Sequence, residues 1–208
     1  MKVLAIAPQP FFSPRGTPLS VYYRTLVTAE LGHTVDLLTY GQGVDADIPG
    51  IRIVRIPAFR WLGAVKVGPS PLKAFLDLWV FAYAIGLMAW NRYDVVHAHE
   101  EAVFFCRFLQ PVFRFKLIYD LHSILSQQLT NFDFTRSRTL IGLFEALENS
   151  CLRKADAVIS ISPSLARYAV ARVPDPGAHF LIENSLFDPL RLANDAPQPA
   201  SRGARGTR

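Results

Sequence analysis

The chain has 208 residues, half of them hydrophobic and fifteen of them Phe, which suits one domain with a packed core. Its formal charge of +5 is lopsided: beyond Pro189, Arg191, Arg202, Arg205 and Arg208 stand against Asp195 alone, so +3 of it sits in the tail. A basic balance made by a tail, with no helix-turn-helix, zinc-finger or RNP-like pattern, gives no ground for nucleic-acid binding.

Residues 2–8, KVLAIAP, predict a first β-strand. The apolar run is short and turns to Pro and Phe without a small-residue cleavage site, so it does not read as a leader. Ser13-Pro14-Arg15-Gly16-Thr17 then opens a helix over Thr17–Leu31, which Gly32 terminates. A glycine at that place lets backbone approach a ligand, and the N–H groups of a helix start attract phosphate or hydroxyl oxygens. Arg15, Gly16 and Thr17 are therefore candidate substrate-binding residues; the competing reading is a turn glycine with Thr17 as a cap.

Residues 33–40 and 51–57 predict strands two and three, joined by a loop without a helix that leaves room for an irregular sheet. Within that loop Gly41-Gln42-Gly43-Val44-Asp45-Ala46 fits a loose dinucleotide fingerprint. The helix it requires is missing, because Ile48-Pro49-Gly50 and a strand follow, so no dinucleotide site is expected. A long helix is predicted over Pro71–Trp90. Its segment 74–90, AFLDLWVFAYAIGLMAW, is apolar around most of its circumference, yet short for a span of ~20 residues and marked by Asp77. It is expected to bury itself against the sheet. Arg52, Arg55, Arg60 and Lys66 make a basic neighbourhood before it, which would favour peripheral contact with an anionic membrane surface.

Strands four and five are predicted over 93–99 and 116–122, ending in His97-Ala98-His99-Glu100-Glu101 and Asp120-Leu121-His122-Ser123. Helices are expected over Glu101–Gln110, Ser137–Lys154 and Ser164–Arg172, the last with Ser162 as cap and Pro163 in its first turn. Strands six and seven fall over 156–162 and 179–185. Cys106 and Cys151 are distant and lack a CxxC partner, as expected of two reduced thiols in a cytosolic protein. After Asp188 the chain has two leucines, Leu190 and Leu192, among Ala, Pro, Gly and Arg, and reads as disordered. The division is thus a domain over 1–188 and a tail over 189–208. Alternating strands and helices, with several strands continuously apolar, predict an α/β fold: a Rossmann-like parallel sheet with helices on both faces.

In such sheets ligands bind beyond the carboxyl ends of the strands, which is where the polar residues gather here. His122, two residues after Asp120, is placed to hydrogen-bond a hydroxyl or move a proton near neutral pH, and is the candidate catalytic residue. A structural histidine satisfied by a backbone carbonyl is the competing reading. His99, Glu100, Asp120 and Ser123 are candidate substrate contacts. His97 and His99 share one face of a strand and invite a metal. A defined third and fourth ligand are lacking, however, and hydrolases of that kind use a barrel larger than this chain makes, so no metal is expected. There is no G-x-S-x-G elbow and no Walker A loop.

The ordered set of segments resembles the N-terminal, acceptor-side domain of family-four-type glycosyltransferases. It comprises residues 2–40 with their glycine loop and LGHTVDLLTY ending, YDVVHAHEEA, LIYDLHSILSQQL, CLRKADAVISISPSLARY and HFLIENSLFD. The resemblance covers about residues 1–188. It implies one half of a GT-B architecture, and transfer of a sugar from a nucleotide-sugar donor to a glycan, lipid or small-molecule acceptor with retention. Gly16 would match the glycine loop near donor phosphates and acceptor, and His122 the histidine that contacts the transferred sugar. No cofactor is implied. The family's C-terminal domain, with its Glu-x7-Glu motif, has no counterpart: the glutamates are Glu30, Glu100, Glu101, Glu145, Glu148 and Glu183, and no two are eight apart. The leaving diphosphate would lack its electrostatic partners. The expectation is an acceptor-side half, cytoplasmic or peripheral at the inner face of the membrane, that needs a donor-binding domain from a separate chain or from missing sequence. The alternative is a non-catalytic acceptor-binding or regulatory module.

Overall fold

The computed structural model describes residues 1–12, 16–44, 48–59, 61, 63, 65, 68, 70–125, 127, 128 and 137–183. Arg15, Arg60, Lys66 and the expected tail over 189–208 lie outside them.

All seven predicted strands form, as β1 (Lys2–Ala7), β2 (Thr34–Thr39), β3 (Ile51–Arg55), β4 (Val95–His99), β5 (Lys116–Leu121), β6 (Ala157–Ser160) and β7 (His179–Leu181). They make one parallel sheet in the order β3-β2-β1-β4-β5-β6-β7. β1 sits between β2 and β4, and from Val3 to Ala7 every residue is buried, which is why its sequence is continuously apolar. The helix-free connection after β2 does not disturb the sheet: Val35↔Ile51 through Thr39↔Arg55 pair in regular register. Gly41 and Gly43, which resemble part of a nucleotide fingerprint, instead allow backbones to meet. A Cβ on Gly41 would stand 2.5 Å from the Ile56 carbonyl oxygen. Gly43 has φ +131°, and Val44 beside it exchanges two backbone hydrogen bonds with Phe12.

The helices are α1 (Gly16–Glu30), α2 (Pro71–Trp90), α3 (Ala102–Phe113), α4 (Arg138–Lys154) and α5 (Pro163–Val170). Gly32, at φ +82°, closes α1 as expected. Ser70, Ser137 and Ser162 each accept a hydrogen bond from the backbone three residues on, and Pro71 and Pro163 open their helices. α3 runs past the expected stop at Gln110. Pro111 sits so close to the end that it forfeits only its own N–H, and the helix closes at Arg114, in the left-handed region with φ +56°.

Helices cover both faces, unequally. On one face α1 packs Val21, Tyr22 and Leu26 over Val3, Ala5, Val35 and Leu37. On the other, α2 to α5 pack over Leu4, Ile6, Leu38, Val96, Leu117 and Tyr119. Cys106 and Cys151 are free thiols buried on that second face, and burial pushes Cys151 up to about 12. α2 buries one stripe fully, Leu76, Val80, Ala84 and Met88, with Leu72, Trp79, Phe81, Tyr83, Ile85 and Leu87 half-buried beside it. The expectation of a helix buried against the sheet therefore holds for its inner side, while its outer side is exposed. The basic neighbourhood expected before it is also partly spent. Arg52 forms two 2.7 Å bonds to the Asp36 carboxylate, and Arg55 donates to the carbonyls of Tyr40, Gln42 and Val44.

Candidate functional site

The strand order reverses between β1 and β4, and in open parallel sheets the crevice at that point is where ligands sit. The end of β1 borders it on one side, and the ends of β4 and β5 on the other. Parallel pairing sets His99 opposite Asp120, and side-chain alternation places His97, His99, Asp120 and His122 on the α1 face.

These four residues and Arg24 form one buried network. Arg24, from the middle of α1, holds its Nε against Asp120 Oδ2. His97 Nε2 lies 3.0 Å and His99 Nδ1 3.5 Å from the same oxygen, and His122 Nε2 lies 3.3 Å from Oδ1. His99 Nδ1 also meets His122 Nε2 at 3.2 Å, while His97 stacks on His99 with centroids 4.5 Å apart. Burial by itself would raise the Asp120 carboxyl. The charge and hydrogen bond of His122, with the bonds from His97, together hold it well below the usual carboxylate range. Burial, with His97 beside it, pushes His99 well below the usual imidazole range, so this ring is neutral. Two ring nitrogens, His99 Nε2 and His122 Nδ1, are buried with no hydrogen-bond partner among the described residues. A groove of about 260 Å³ reaches the network from the α1 side, lined by Tyr23, Arg24, Val27, His97, Ile118 and Ile182.

His97, His99 and Asp120 bring three potential metal ligands within 4.8 Å of one another. They fit a cation poorly. The guanidinium of Arg24 already occupies Oδ2, so a fixed positive charge stands at the only anionic ligand.

On the opposite side of β4 a second cluster forms. Lys73 pairs with Glu100 at 3.5 Å and with Glu101, and the Tyr40 hydroxyl donates to Asp77. Three carboxylates gather around one lysine in a half-buried place. Burial, against the pull of Lys73, pushes Glu101 up to about 8 and Asp77 up to about 6.

The structure thus brings together His99, Asp120 and His122 of the sequence-expected residues. Glu100, at φ +51°, turns its carboxylate towards α2 and Lys73. Ser123 accepts a 2.6 Å bond from Gln128, Gly16 opens α1 and Thr17 follows it half-buried. Arg24, Lys73, Asp77 and Tyr40 were not legible as site residues. A cation between Tyr23 and Thr25 on an apolar helix was the one available signal for Arg24.

Residues 23–185 match the family described as "Glycosyl transferase 4-like domain". Comparison with curated protein sequences gives no match. Among solved structures, sucrose-phosphate synthase from Thermosynechococcus elongatus superposes with a TM-score of 0.61 at 19% identity, over 88% of this chain and 48% of that one. UGT89C1 from Arabidopsis thaliana, complexed with UDP-L-rhamnose, gives 0.56 at 14% identity, over 87% and 48%. HepE from Anabaena, in complex with UDP, gives 0.52 at 16% identity, over 88% and 44%. The chain therefore spans just under half the length of each of these, and at such identities the likeness is one of fold. The sheet order, the crevice at the β1–β4 reversal and the matched residues lead to one assignment: the chain belongs to the glycosyl transferase 4-like domain family, with the Rossmann-like fold found in GT-B glycosyltransferases.

Proposed function

We propose that this chain is the acceptor-side half of a retaining glycosyltransferase, which transfers a sugar from a nucleotide-sugar donor to a sugar or lipid-linked acceptor. The donor-binding half comes from a separate chain or from further sequence. One observation carries the reading: His122 has a buried Nδ1 with no hydrogen-bond partner among the described residues, while its Nε2 meets His99 Nδ1 at 3.2 Å and stands 3.3 Å from Asp120 Oδ1. An orphaned buried polar atom costs on the order of 1–3 kcal/mol, and a ligand hydroxyl at Nδ1 would remove that cost. His122 orients the reacting sugar, and the backbone N–H groups at Gly16 and Thr17 offer donors to phosphate or hydroxyl oxygens. Ser123 lines the acceptor side, with His99 and Asp120 behind it. UDP-sugars are the first donors to try, because HepE and UGT89C1 have been solved with UDP and UDP-L-rhamnose. The chemistry acts without a metal, in the cytoplasm or at the inner face of the membrane.

The second reading is an acceptor-binding module that transfers nothing. Calorimetric titration of the chain with UDP-, GDP- and ADP-sugars, alone and with acceptors, separates the two once a donor-binding half is added. Transfer on addition supports the enzyme, and acceptor binding without transfer supports the module. In the reconstituted enzyme His122→Ala is expected to lower turnover by about 100-fold or more, the scale of a lost positioned acid–base or orienting group. Full activity in that variant would sink the assignment.

A further inference from the structure

Surface helices of packed domains turn apolar residues inward and charges outward. α2 is apolar on both its inner and its outer side. From Ala74 to Trp90 its exposed positions are Ala74, Phe75, Leu78, Ala82, Ala89 and Trp90, all of them apolar. Its two charged residues, Lys73 and Asp77, turn inward to Glu101 and Tyr40. α4, in the same layer, exposes Arg138, Glu145, Arg153 and Lys154, so the apolar outer side belongs to α2 and not to that side of the sheet. Leu78 is 62% exposed and Trp90 90%.

The apolar surface extends past the helix at both ends. Trp61, 79% exposed, packs through Phe59 onto Phe75 and Trp79 at the start of α2. Trp90 lies at the other end, about 30 Å away for a helix of this length. Alongside, α3 exposes Phe108 and Val112. Cations rim this surface. Arg92 and Arg114 stand beside Trp90 and Val112 around a hollow of about 310 Å³, and Arg107 lies 4.8 Å over the Phe108 ring. α3 contains no acidic residue.

We propose that this face, the outer side of α2 with Trp61 and Trp90 at its ends and Phe108 and Val112 beside it, seats the chain shallowly on an anionic lipid bilayer. Tryptophan rings favour the headgroup level, an apolar helix face enters the acyl boundary, and arginines at its rim pair with anionic headgroups. The buried stripe of Leu76, Val80, Ala84 and Met88 ties α2 to the sheet, so the helix lies along the bilayer and does not cross it. A second copy of this chain is a poorer occupant. A two-fold contact through this face would bury Arg92 and Arg114 against a surface whose α2 and α3 expose no acid to pair them. The first turn of α2 is tied to the end of β4 through Lys73 and its Glu100 and Glu101 partners. The seating does not depend on the transferase reading.

The test is co-sedimentation of the whole chain with phosphatidylcholine vesicles, with and without phosphatidylglycerol, and no sugar present. The unmodified chain is expected to sediment with the anionic vesicles and to shift its tryptophan emission to the blue as Trp61 and Trp90 leave water. Leu78→Glu with Ala82→Glu, both on exposed positions, is expected to weaken partitioning by about tenfold or more. Arg92→Glu with Arg114→Glu is expected to abolish the preference for phosphatidylglycerol. A chain that stays in solution with both vesicles, without an emission shift, overturns the proposal. So does a folded Leu78→Glu/Ala82→Glu variant that binds like the parent, or a dimer by light scattering that this variant dissociates. None of these readouts depends on sugar transfer, so failure here and failure of His122→Ala are separate results.

Discussion

Asp120 meets four neighbours through two oxygens: Arg24, His97 and His99 at Oδ2, and His122 at Oδ1. A carboxylate placed so is both an anchor for α1 on the sheet and the group that fixes the imidazole beside it. Asp120→Asn removes the charge and keeps the shape, leaving the buried Arg24 guanidinium without an anion. Removing one partner of a buried pair costs on the order of 3–5 kcal/mol, so a shift of that size in urea unfolding is expected. An unchanged midpoint would mean that solvent reaches Arg24 and screens it. The folded Asp120 pKa is depressed below its unfolded value of 3.8, so its contribution is present above that value and is lost as pH falls towards the folded one. His122→Ala should be milder for stability, because Asp120 keeps its contacts with Arg24, His97 and His99. The split between stability and turnover distinguishes an anchoring residue from an orienting one.

Elements place their chemistry at their ends. β4 delivers His97 and His99 to one face and Glu100 and Glu101 to the other, because the chain leaves its two-residue alternation at Glu100, in the left-handed region. The cluster around Lys73 carries more acids than cations. Glu101, pushed from 4.5 up to about 8, stays protonated in the fold over a range in which the unfolded chain has released its proton. A raised carboxyl pKa contributes stability that is complete below 4.5 and lost as pH rises through 8. Glu101→Gln cannot titrate. Relative to this variant, the parent is expected to lose melting temperature from about pH 5 to about pH 9, and parallel profiles would refute the assignment. Caps are a second property of this scale. Ser70→Ala removes the acceptor of the Lys73 N–H at 3.1 Å and is expected to cost about 1 kcal/mol in chemical denaturation.

At the scale of the whole molecule, two apolar clusters share one sheet, with alternate residues of each strand serving opposite faces. Cooperative unfolding follows, since neither cluster survives loss of the strands that carry both. Leu117, fully buried in β5, is a probe: Leu117→Ala should cost about 2–5 kcal/mol and leave near- and far-ultraviolet dichroism melting together. The unequal helix layers matter here as well. One helix on the α1 face leaves Ile118 and Ile159 only half-buried and Phe180 and Ile182 exposed, while the opposite face closes over its core.

The strand runs, the helix following each carboxyl end and the family resemblance were legible in the sequence, because apolar period and turn residues are local properties. The seven strands and five helices fall where residue patterning puts them, with ends displaced by a few positions, as at Pro111. That histidines and an aspartate gather at strand ends was legible for the same reason, through the ends of β4 and β5. Which of them meet was not. Arg24 reaches Asp120 across 96 positions of sequence, and Glu100 parts from His99 by a single backbone dihedral. The apolar run of α2 is visible in the letters, but whether it faces the core or the outside depends on how the helix is rolled on the sheet. Composition is blind to that rotation. The tertiary structure decides it, by giving the sheet one side of α2 and turning Lys73 and Asp77 inward to partners that only the fold brings near.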